Sequence, residues 1–201
     1  TMKTKTLVIH PEDPTTDFLK NIYQGMGFTE IRRNFNSIEL KALISEHGRI
    51  IMLGHGFHLG LLDHFKIVID DSYAPLLKEK ELLGIWCFAK EFFVRNELTG
   101  FHTEMFISEL PEAILFGVKT NTREIERSND HFAHAVRSNL FAPQCFERIY
   151  SSYDQLESPV ARFNLKRLCF RHASGDFQGC EQVESNRLIL KRLEYLYHRF
   201  M

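Results

Sequence analysis

Five short strand-length runs, at residues 6–9, 28–32, 50–53, 82–86 and 102–107, alternate along the first half of the chain with helix-length amphipathic stretches. Runs such as 50–53 and 82–86 are apolar throughout, as in strands buried on both faces. The intervening stretches carry helix punctuation. Thr15 or Thr16 is a candidate cap for a helix with Phe18, Leu19, Ile22 and Tyr23 on one face, and Gly25 and Gly27 end it. Ser37 caps a second, with Ile38, Ala42 and Leu43 inward and Gly48 as its stop; residues 72–80 and 88–96 read as two more. Parallel strands need crossovers of this length. The chain is therefore expected to be α/β, with a doubly wound, mostly parallel sheet and helices on both faces.

The order breaks after His55, where residues 57–69 read as a small hairpin laid over a strand end. Beyond residue 120 the pattern turns to long amphipathic stretches, 122–140 and 185–201, with one strand near 163–170. The expected organisation is a 1–120 α/β core with a mainly helical 121–201 extension packed on the same domain. Lys and Arg number 25 against 26 Asp and Glu, so no global field favours nucleic acid or an acidic membrane. The opening residues do not form a signal-peptide core, and no apolar run approaches a membrane span, which makes a cytoplasmic protein the expectation. Four cysteines without a C-x-x-C pair fit reduced thiols. The 18 Phe residues suit an aromatic core, and a homo-oligomer through an aromatic interface is compatible with them.

Two of the apolar runs end in reactive side chains: residues 50–53 lead to Gly54-His55-Gly56, and 82–86 to Cys87. In an open parallel sheet, ligands bind at the carboxyl ends of the strands, so His55 and Cys87 are candidates for one crevice. A thiol attacks as its thiolate, and an imidazole can take its proton and return it to a leaving amine. Gly56 lets the backbone approach closely, making its amide and that of Cys87 candidate oxyanion donors. Polar residues after other strands share this edge. His10, Asp13 and Thr15 follow the first and Glu109 the fifth, and all four are candidate substrate contacts. The same residue types also serve as core histidines, helix caps and buried thiols. His55, His58, His64 and Asp63 lack a metal-binding scaffold such as H-E-x-x-H, so neither a metal nor a cofactor is expected.

Apolar strand into His-Gly, a crossover, then apolar strand into Cys resembles the caspase-like cysteine peptidases of clan CD, across residues 6–118. The resemblance implies a caspase/flavodoxin-like sheet, a dyad of His55 and Cys87, and oxyanion donors at Gly56 and Cys87. Trp86 before the nucleophile and Phe88-Ala89 after it depart from the small residues usual there. The leading expectation is a cysteine peptidase acting on a peptide substrate. The alternatives are a small-molecule or nucleotide-binding enzyme or sensor using the same crevice, and a catalytically silent interaction module.

Overall fold

The computed structural model describes residues 4–64 and 66–179. Five strands run parallel: β1 (Thr6–Ile9), β2 (Thr29–Ile31), β3 (Arg49–Leu53), β7 (Glu81–Ile85) and β8 (Gly100–Thr103). Two later strands, β9 (Leu168–Arg171) and β10 (Phe177–Gly179), add antiparallel to the β8 side. The seven-stranded order is β10-β9-β8-β7-β3-β1-β2. A separate antiparallel sheet of β4 (Gly56–Phe57), β5 (Gly60–Asp63) and β6 (Lys66–Ile69) lies between β3 and β7 in sequence. It is three-stranded where the sequence suggested a hairpin.

Successive side chains of a strand point to opposite faces, and the apolar residues divide accordingly. Val8, Ile51, Leu53, Leu83 and Ile85 join one core with Leu19 and Ile22, with Phe132 and Val136 of α5 (Thr122–Asn139), and with Ile149 and Tyr153 of α6 (Cys145–Asp154). Leu7, Ile9, Ile50, Met52 and Leu82 join the other. That second core takes Leu40 and Ile44 of α1 (Ser37–Glu46), Leu77 of α2 (Ala74–Leu77), Phe92 and Phe93 of α3 (Ala89–Arg95), and Leu61 and Ile69 of the small sheet. Each wholly buried Leu, Ile or Phe contributes roughly 1.5–3 kcal/mol. Together the two cores hold the sheet between layers and fix which edge its strand ends share. The extension expected as mainly helical supplies α5, α6, α7 (Pro159–Leu165) and the two antiparallel strands; residues 185–201 lie outside the described residues.

Several local expectations are corrected. The first crossover is a 3-10 helix, Pro14–Ile22, whose buried Thr16, Leu19 and Ile22 recur every third residue, as 3.0 residues per turn require. Asp13, not Thr15 or Thr16, caps it by accepting from the Thr15 amide at 2.9 Å. Asn36 takes the capping role expected of Ser37, which turns Ile38 out to 81% exposure and buries Leu40 and Ile44 instead. The fifth strand ends at Thr103. Cys169 is disulfide-bonded, so the four thiols are not all reduced. Disulfide formation depends on spatial proximity and not on sequence spacing, and this bond removes the thiol argument for a reducing compartment.

Candidate functional site

Parallel pairing brings the carboxyl ends of β1, β3, β7 and β8 to one edge. Leu53 pairs with Ile85, so His55 and Cys87 each lie two residues beyond a matched position on neighbouring strands. Trp86 helps hold the two ends together. Its indole is 2% exposed, donates from Nε1 to the Phe57 carbonyl at 3.3 Å, and lies against Gly56. A Cβ at Gly56 would sit 2.1 Å from the indole and 2.7 Å from the Gly60 carbonyl oxygen, so only glycine fits. The bulky residue before Cys87 therefore faces the second core.

His55 is half-buried and bound to the loop after β1. Its Nε2 lies 2.6 Å from Thr15 Oγ1 and 3.9 Å from Asp13 Oδ1. Thr15 Oγ1 in turn donates to Asp13 Oδ1 at 2.6 Å. Burial alone would raise the Asp13 carboxyl. The Thr15 hydroxyl and amide, then the charges of His55 and His64, outweigh burial and hold it below its usual range.

Cys87 sits in a different setting. Its thiol makes a long 3.9 Å contact to the Phe106 carbonyl, in the segment that leaves β8. The residue keeps some surface, but the protein closes densely around the sulfur. Burial pushes the thiol up to about 12, and Glu112 and Glu109 add to the rise against the opposing Phe106 contact. Glu112 belongs to α4 (Leu110–Leu115), where its carboxylate accepts from the amides of Ser108 and Glu109 at 2.7 and 3.0 Å. Glu109 stands at the N-cap of this helix.

His10, the third candidate contact after β1, is buried next to the strand end. It is 0% exposed, with Nδ1 at 2.9 Å from the Tyr23 hydroxyl and Nε2 at 3.2 Å from Thr16 Oγ1. Burial, reinforced by Arg32, lowers its pKa to about 4, so the ring is neutral. Asp13, Thr15 and His55 are thus joined, while Cys87 and Glu109 form a second group across the same edge.

Asn164 of α7 carries no sequence signal for a role here. Its side chain pairs with both backbone groups of Ile107, accepting from N at 2.8 Å and donating to O at 3.0 Å, and so fixes the segment against which Cys87 rests. Nothing local marks a residue that acts 57 positions from its partner. Among the described residues, no three His, Cys, Asp or Glu side chains gather as a metal would require, and no helix is long and apolar enough to cross a membrane. An open groove of about 560 Å3 runs along α5, lined by Arg123, Glu126, Arg127, Asp130, His131 and His134. No family model, curated protein or solved structure matches the chain.

Proposed function

We propose that the chain is a cysteine hydrolase of doubly wound, caspase-like architecture that cleaves peptide bonds through Cys87, with His55 as base and acid. The observation that carries this reading is the register: His55 and Cys87 each follow by two residues a matched pair, Leu53 and Ile85, that ends adjacent parallel strands, with a small antiparallel sheet and one crossover between them in sequence. The Cys87 sulfur attacks the scissile carbonyl carbon after its proton passes to His55. The amides of Gly56 and Cys87 donate to the resulting oxyanion, each worth roughly 3–4 kcal/mol in the transition state. His55 then protonates the leaving amine, and water hydrolyses the thioester to free the acid and restore the thiol.

In the resting arrangement the thiol holds its proton, because its surroundings are apolar and acidic. Activation therefore requires the thiol to leave the Phe106 carbonyl and meet His55 when substrate enters. That same enclosure favours a second reading, a silent interaction module in which Cys87 is a core thiol. Turnover of an internally quenched peptide library separates the two. Cleavage by the wild type, lost in both Cys87→Ala and His55→Ala, supports the hydrolase; cleavage that survives Cys87→Ala rules out Cys87 as nucleophile.

A further inference from the structure

We infer that Asp13 and Thr15 are positioning residues that hold His55 as its Nε2–H tautomer and leave Nδ1 as the basic nitrogen. The catalytic consequence rests on the hydrolase reading above. The tautomer does not.

Proton counting carries the inference. An ionised carboxylate only accepts, and Asp13 Oδ1 receives both the Thr15 amide at 2.9 Å and the Thr15 hydroxyl at 2.6 Å. A hydroxyl has one proton, and this one is spent on Asp13. Thr15 Oγ1 can therefore meet His55 Nε2, at 2.6 Å, only as an acceptor, so Nε2 must bear hydrogen. The requirement is the same for neutral imidazole and for imidazolium. The ring can gain and lose a proton at Nδ1 without breaking the contact that orients it, and Asp13, 3.9 Å from Nε2, offsets the positive charge when it forms.

The loop that presents Asp13 is anchored by a second relay of the same kind. Thr16 Oγ1 donates to the Asp13 carbonyl at 3.2 Å, which leaves it to accept from His10 Nε2. His10 Nδ1 must then accept from the Tyr23 hydroxyl at 2.9 Å. Burial keeps that phenol protonated, its pKa raised to about 12. The candidate contacts after β1 thus work from beneath His55: Asp13 and Thr15 orient the ring, and His10 holds the loop that carries them.

The test is long-range proton–nitrogen NMR on the 15N-labelled full chain, with alkylation of Cys87 by a peptidyl acyloxymethyl ketone, whose carboxylate leaves as the thioether forms, as a second readout. In the wild type and in Thr15→Ser, His55 is expected to show a pyrrole-type Nε2 and a pyridine-type Nδ1. In Thr15→Val the Nδ1–H form should gain about fivefold, the scale of one ordinary hydrogen bond, with a comparable fall in the rate of Cys87 alkylation by the ketone. An Nδ1–H ring in the wild type, or a tautomer ratio unmoved by Thr15→Val, overturns the relay. The expected tautomer with a Cys87 that the ketone never alkylates upholds the relay and removes the hydrolase reading instead.

Discussion

Replacing Asn164 with Ala isolates the contact that fixes the Cys87 enclosure. Asn164 and Ile107 are both 0% exposed, and the two bonds between them act as one step of a sheet ladder supplied by a side chain. Asn164 Nδ2 also donates to the Tyr153 hydroxyl at 3.2 Å, which lies 2.6 Å from Ser128 Oγ. Truncation leaves the Ile107 N–H and C=O buried without partners, at roughly 1–3 kcal/mol each, so the expected loss is about 4 kcal/mol. Against a typical total of 5–15 kcal/mol, that is a large share of the stability. Urea unfolding followed by circular dichroism should show a lower midpoint at unchanged slope. Tyr153→Phe deletes only the hydroxyl and should cost about 1 kcal/mol. The freed Phe106–Ile107 backbone should also loosen the surround of Cys87 and speed its alkylation by iodoacetamide. A loss below about 1 kcal/mol together with unchanged alkylation would refute the argument that Asn164 holds this segment.

Two further outcomes follow from buried groups. Burial, the first cause for each, lowers His10 to about 4 and His102 to about 3, from 6.5. The unfolded chain therefore binds protons first as pH falls, and stability that is full above 6.5 should decline toward pH 4 with a slope of about two protons. A urea midpoint that is flat between pH 7 and 5 would contradict this. Gly56→Ala should lower the thermal midpoint through overpacking against Trp86 and the Gly60 carbonyl, at roughly 1–3 kcal/mol; a variant as stable as the wild type would show that this joint yields.

Much of the strand framework was legible because burial on both faces leaves apolar runs that no amphipathic helix would carry. Residues 50–53 and 82–86 read directly as strands, and His55 and Cys87 followed as strand ends. Helix phase was less legible: Ile38 is apolar and sits in the first turn, but the cap at Asn36 turns it outward. The hydrogen bonds that join Asp13 and Thr15 to His55 were not legible, because a polar loop after a strand looks the same whether it faces a ligand or supports a histidine. Asn164 and Phe106 were invisible, since one acts through a long-range pairing and the other through its backbone carbonyl. The β9 and β10 additions depend on the sheet edge already made by β8, which no local pattern describes.

The most direct test of the account is mass-spectrometric mapping of the wild type and His55→Ala after a peptidyl acyloxymethyl ketone, with iodoacetamide as the comparison. Iodoacetamide reads the resting thiol, and its rate at Cys87 should still be rising above pH 9, because the thiol is pushed up to about 12. The peptidyl reagent reads the assembled pair, and it should modify Cys87 near neutral pH, in preference to Cys145, only while His55 is present. Equal modification with and without His55, or none at Cys87, would contradict the claim that these two strand ends form one catalytic site.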